Sequence, residues 1–212
     1  ILKKEIFDIN SPSMLVWHQG ETQIFAGKPR IALPIFELTE FTSREKIMLN
    51  QVDYLAVMSH WGKEVMLNNG VSIPDKIFVI PGGIDPTIFH TNHPINQNYV
   101  MPDTFTFFSG GKFEIRKGHK EVLQAFITAF EGSETKVRLL AHWESPFGHK
   151  VGDQLISTES VVREAMIKKY GFHEAQPNIY HRNKMVIQYV GRQTSALHVA
   201  GLYKCADVGV FP

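Results

Sequence analysis

The sequence lacks what anchors, cross-links or steers a chain electrostatically. Its single cysteine, Cys205, can close no disulfide within the chain and excludes a four-cysteine zinc site. No apolar run approaches the ~18 residues that a membrane-spanning helix needs. No Asn-x-Ser/Thr acceptor occurs. An excess of either charge is lacking too: 22 Lys and Arg stand against 21 Asp and Glu, a formal net charge of +1. That balance leaves no electrostatic footprint for nucleic acid or for an anionic membrane surface.

Signatures of metal and nucleophile chemistry are also missing. There is no His-Glu-x-x-His and no Asp-x-Asp pair, and the ten histidines are scattered. No Gly-x-Ser-x-Gly elbow is present, and Cys205 lies in a helical, apolar context that disfavours a thiolate. These absences leave the metal signals poor and lead us to expect a reducing, cytoplasmic setting with no integral membrane segment. At 212 residues, 43% of them hydrophobic, the chain can bury one or two globular cores. It opens at Ile1 without a signal pattern and ends at Phe211-Pro212 just after an apolar run. Domain boundaries belong in exposed linkers, so an internal piece of a longer protein is expected.

What is present is an alternation of short apolar runs with helical patterns, the signature of a parallel α/β sheet. Apolar runs at 14–17, 30–36, 54–58 and 77–80 predict strands. Between them, Thr42 and Glu45 form a capping box for a helix to about Val52, and Ser59 caps another that stops at Gly70. Residues 91–103 hold two prolines, Pro94 and Pro102, several Asn and no periodicity, which predicts a linker and a domain boundary near residue 95. Beyond it, strands are expected at 104–108, 137–141, 185–190 and 208–211, with an irregular loop at 143–156. Val122, Phe126, Ala129 and Phe130 mark one helix face, and Ser195 opens a helix through Cys205.

One stretch carries most of the chemistry. Ser109 to Lys120 reads Ser-Gly-Gly-Lys-Phe-Glu-Ile-Arg-Lys-Gly-His-Lys between an expected strand and an expected helix, where open α/β sheets bind ligands. Gly110 and Gly111 allow close backbone approach, and the helix start offers unpaired N–H groups. Four basic side chains, Lys112, Arg116, Lys117 and Lys120, crowd this turn. Arg116 and Lys117 at the positive end of a helix dipole are unfavourable by some tenths of a kcal/mol each, roughly, and a bound anion reverses that sign. A solvated basic loop is the alternative reading. The stretch is not a Walker A loop, since Phe113 follows Lys112, nor a dinucleotide fingerprint, since its third glycine is misplaced. His18 and Glu37 each follow an apolar run, where strand-end side chains face a crevice. Pro81-Gly82-Gly83-Ile84-Asp85 is a tight turn before the linker, read either as a plain turn or as part of interdomain closure.

Three segments, in order, resemble the family 4 retaining glycosyltransferases. Ser59-x-Trp61 followed by Val79-Ile80-Pro81-x-Gly83-Ile84-Asp85 and Phe89 is similar to that family's interdomain region. Phe108-Ser109-x-Gly111-Lys112, then Lys117-Gly118 and Ala125-Phe126, resembles its donor-phosphate loop and the helix behind it. Leu202-Tyr203, Ala206-Asp207-Val208, Val210-Phe211-Pro212 is similar to the stretch ahead of its acidic donor motif. Residues 17–41 resemble one branch of the family more loosely.

The resemblance implies a GT-B architecture of two Rossmann-like domains facing each other across a cleft, here 1–95 on the acceptor side and 96–212 on the donor side, both incomplete. It implies transfer of a sugar from a UDP- or GDP-linked donor to a carbohydrate or lipid-linked acceptor hydroxyl, with retention and without a metal. Lys117 stands where the family binds phosphate, and Lys112 where it usually has Arg, so a point charge replaces a bidentate fork. His18 corresponds to a first-domain histidine lining the donor sugar, and Gly83 and Asp85 to the cleft floor. In that assignment His18, Lys112 and Lys117 act in catalysis, the two lysines by stabilising charge on the departing nucleoside diphosphate. Gly110, Gly111, Arg116, Gly83 and Asp85 help to hold the donor. The family's paired glutamates are expected after Pro212, so residues 1–212 carry only part of an active site and the piece alone is expected to be inactive. A nucleotide-sugar epimerase and a non-catalytic sugar- or phosphate-binding module are the competing readings.

Overall fold

The computed structural model describes residues 8–22, 24–71 and 74–212; Ile1, where the sequence opens, lies outside them. The chain divides into two compact units, Ile1–Ile84 and Asp85–Pro212.

In the first unit, four parallel strands stand in chain order: β1 (Ser13–His18), β2 (Arg30–Ile35), β3 (Tyr54–Val57) and β4 (Ile77–Val79). Two helices pack on one face. α1 (Ser43–Leu49) starts at the expected capping box, with both arms present: the Thr42 hydroxyl accepts from the Glu45 N–H, and the Glu45 carboxylate accepts from the Thr42 N–H. These bonds hold the Glu45 carboxyl below its usual range. α2 (His60–Asn68) is capped by Ser59, whose Oγ accepts from the Gly62 N–H at 3.0 Å. Leu49, Val65 and Met66 from these helices close over Ala32, Leu55, Val57 and Ile77 of the sheet. On the opposite face Met14, Val16, Ile35, Tyr54 and Phe78 are exposed.

The second unit is built on a six-stranded sheet in the order β12-β5-β6-β11-β10-β9. Its parallel part comprises β5 (Phe105–Lys112), β6 (Val137–Glu144), β11 (Met185–Tyr189) and β12 (Val208–Gly209). α3 (His119–Phe130) and α4 (Thr158–Glu164) cover one face through Val122, Phe126, Ile127 and Val162. Leu202 of α5 (Ala196–Tyr203) covers Phe108 and Leu140 on the other. Helices on both faces of a mostly parallel sheet make this unit Rossmann-like.

Several expectations are corrected here. The contact boundary falls at Ile84/Asp85, and the Pro- and Asn-rich stretch is bonded to the second unit. The Asn96 N–H donates to the Gly201 carbonyl, and the Tyr99 carbonyl accepts from Arg138. β5 does not stop at Phe108, because Ser109 to Lys112 stay in register with Ala141 to Glu144 of β6. The 143–156 stretch is not irregular: β6 runs through Glu144, and β7 (His149–Val151) pairs with β8 (Gln154–Ile156) in a hairpin. The sheet is not wholly parallel, since β9 (His173–Gln176) and β10 (Ile179–Arg182) extend it antiparallel. Asn178 and Asn183, at φ of 66° and 53°, make their turns. On α3, Ala129 is exposed and Leu123 and Ile127 complete the buried face.

Candidate functional site

The strand order itself marks one place in the second unit. β5 is first in sequence, yet it has β6 on one side and β12, last in sequence, on the other. The crossover that leaves β5 runs through α3 on one face and the one that reaches β12 runs through α5 on the other. The strand order therefore reverses between these two strands, a topological switch point whose carboxyl end is where open α/β sheets take ligands. The residues at that end are Gly110, Gly111 and Lys112 after the core of β5, and Phe211 and Pro212 after β12.

From Lys112 the chain crosses to α3 in six residues through a short helical turn, Ile115–Lys117. Gly111 has φ of 144° and Gly118 has φ of 61°, conformations that favour glycine. At Gly118 the demand is double, since a Cβ there would lie 2.8 Å from Pro212 Cγ. Gly118→Ala is expected to lower stability by about 1–2 kcal/mol from the backbone term alone; urea unfolding checks it, and an unchanged midpoint would contradict this account of the turn. Gly110 has a different reason from the one expected. Its Cβ would meet the Phe108 ring at 2.8 Å, so internal packing requires glycine there.

His119, the first residue of α3, clamps the loop. Its Nε2 donates to the Lys112 carbonyl at 2.8 Å, and its ring stacks on Phe113 with centroids 5.3 Å apart and packs against Trp143 at 4.9 Å. Nδ1 is buried without a partner, so a proton there would be an orphaned donor. Burial accordingly pushes the His119 pKa below the ordinary value of 6.5, with Lys117 adding repulsion and the Lys112 carbonyl opposing. The unfolded chain then takes up a proton near 6.5 that the folded chain refuses. Stability is full above that pH and falls as pH drops toward the lower folded value. His181, also lowered chiefly by burial, acts with the same sign. His119→Gln is expected to flatten the slope of unfolding free energy between about pH 7 and 5; an undiminished slope would contradict it.

The basic side chains are not equivalent. Lys112 Nζ lies 2.5 Å from Glu114 Oε1 and over the Phe147 ring at 4.7 Å, and Arg116 Nε lies 3.0 Å from Glu114 Oε2. Lys117 has no ion-pair partner among the described residues. No side chain caps the N-terminus of α3, so its first N–H groups still have acceptors to find.

A pocket of about 360 Å³ opens at the same strand ends, lined by Gly111, Lys112, His142, Glu144, Arg192 and Gln193. His142 donates through Nδ1 to the Val190 carbonyl at 3.2 Å, which leaves Nε2 as an acceptor in the neutral ring. The Glu144 carboxylate accepts from the Tyr189 hydroxyl at 3.0 Å; burial first, and that carboxylate next, hold the Tyr189 hydroxyl above its usual pKa. Nothing in the sequence pattern singles out Glu144, Arg192 or His142. The signal was positional: each stands at or just past the carboxyl end of a parallel strand, β6 or β11.

Elsewhere the expected site residues are more dispersed. Gly110, Gly111, Lys112, Arg116 and Lys117 share one loop of the second unit. His18 ends β1 of the first unit, exposed and edge-on to Trp17. Gly83 is exposed. The Asp85 carboxylate caps its own turn, accepting from the Thr87 N–H at 2.9 Å and hydroxyl at 2.6 Å, which lowers its pKa. No cluster of three or more metal-binding side chains occurs among the described residues, and none of their helices is long and apolar enough to cross a membrane.

The fold and this loop define an α/β protein with parallel-strand, Rossmann-like sheets and a cationic strand-to-helix turn at a switch point. No protein-family model matches the chain, and no curated protein matches it.

Proposed function

We propose that the second unit binds the diphosphate of a nucleotide sugar, and that the protein belongs to a retaining, metal-independent GT-B glycosyltransferase. The observation that supports this most is the placement of the Gly110–Gly118 loop at the carboxyl end of β5, beside β12, where the strand order reverses. Lys112 and Lys117 supply point charges, and the uncapped start of α3 supplies N–H groups. In the reaction, the cations stabilise negative charge as it grows on the leaving nucleoside diphosphate. His18 and the paired glutamates of the family would act on the sugar, the acceptor being a carbohydrate or lipid-linked hydroxyl.

Calorimetric titration of UDP and GDP tests the reading. We expect one of the two to bind, which also names the base. Absence of binding by both in the folded protein would overturn the donor-site assignment.

A further inference from the structure

The seat proposed for a phosphate already holds an anion. The two oxygens of Glu114 each take one cation, Oε1 from Lys112 at 2.5 Å and Oε2 from Arg116 at 3.0 Å. The carboxylate thus bridges the two basic side chains as two oxygens of a phosphate would. We infer that Glu114 is the resident anion of the 112–118 loop, that a phosphate-bearing ligand binds by displacing it, and that this exchange selects diphosphates over single phosphates. The inference rests on the reading of this loop as a phosphate site.

The local geometry permits the exchange. The backbone of Glu114 is held separately, its carbonyl accepting from the Lys117 N–H at 3.0 Å, so the side chain can leave by rotating about its own bonds. Its side chain is only partly exposed, at 26%, and the hydrogen bond from Lys112 holds its carboxyl below the usual range, so it is ionised at neutral pH. Lys112 keeps a contact when the carboxylate departs, over the Phe147 ring at 4.7 Å. Selectivity follows from charge. A monoanionic phosphate replaces one negative charge with another and gains little, whereas a pyrophosphate brings more charge and more acceptor oxygens to the same cations.

The test titrates inorganic pyrophosphate and inorganic phosphate into the protein, its E114Q variant and an E164Q control. Glu164, the last residue of α4, is paired with Lys168 at 2.8 Å, so E164Q removes the same unit charge outside the loop. The expected result is that E114Q binds pyrophosphate about tenfold tighter than the unaltered protein. Phosphate should gain more than pyrophosphate does, so that discrimination between the two narrows, while E164Q leaves both unchanged. If the unaltered protein binds pyrophosphate and E114Q binds it no tighter, or E164Q gains equally, the inference fails and the phosphate reading of the loop stands. If neither the protein nor E114Q binds pyrophosphate, both fail.

Discussion

Changing Lys112 and Lys117 together to Ala is expected to lower affinity for the proposed nucleoside diphosphate about a hundredfold or more. Two charge-assisted hydrogen bonds are lost, each worth about 1.5–3 kcal/mol, and a loss of about 3 kcal/mol is a factor of ~100. The fold is not at risk, because the Lys112 side chain is 40% exposed and the loop is held by backbone bonds and by His119. Lys112→Ala alone costs less, about tenfold, since Lys117 remains. Lys112→Arg binds at least as well as the unaltered protein, because guanidinium supplies a fork where ammonium supplies a point. Calorimetry on the three variants measures this. A double variant that binds as tightly as the parent would remove the lysines from the site.

The largest expected loss of stability lies at the other end of the same sheet. Arg138, near the start of β6, is 1% exposed. Its guanidinium donates to the Thr106 hydroxyl at 3.1 Å, the Tyr99 carbonyl at 2.8 Å, Gln188 Oε1 at 2.9 Å and the Cys205 carbonyl at 3.2 Å. Burial pulls its pKa below the ordinary arginine value, against the fields of Cys205 and Asp207. These four bonds join β5, β6 and β11 to the Tyr99 and Cys205 segments that pack on the α5 face of the sheet. Arg138→Met fills part of the volume but leaves four acceptors without a donor. Each costs roughly 1–3 kcal/mol if it stays dry, so a loss of at least about 3 kcal/mol is expected, with partial rehydration allowed for. That corresponds to a fall in Tm of about 10 °C for a unit of this size. Thermal unfolding followed by circular dichroism reads it, and a Tm within a degree or two of the parent would contradict the role given to Arg138.

Local rules carried the sequence a long way. The Thr42–Glu45 box, the Ser59 and Ser195 caps and the left-handed Gly70 all stand where helix chemistry places them. Apolar runs located the parallel strands because both faces of those strands carry apolar side chains with little polar alternation. These are covered on both sides in β6 and β11 and exposed on one side in the first unit's sheet. The polar strands were illegible for the same reason. His173–Gln176 and Ile179–Arg182 pair at the sheet margin, where His, Glu and Arg reach water and leave no hydrophobic period. The extension of β5 through Gly110 and Gly111 was equally hidden, since consecutive glycines punctuate a sequence and only the register against β6 holds them extended. The 110–118 loop was legible as composition: glycines and three basic residues ahead of a helix, with Lys120 in its first turn. Its internal pairing was not, because whether Glu114 meets Lys112 and Arg116 depends on the turn at Ile115–Lys117. Glu144 and Arg192 come from strands far apart in sequence, and only the strand order brings them beside Lys112.

The diphosphate is proposed to bind at the carboxyl end of β5, at the switch point with β12. Amide chemical shifts recorded while UDP and GDP are titrated in turn test it residue by residue. One nucleotide should move the amides of Gly110, Gly111, Lys112, Gly118 and His119, with Arg192 following on the pocket wall and the amides of β9 and β10 still. Saturable shifts confined to another part of the chain, or none from either nucleotide, would contradict it.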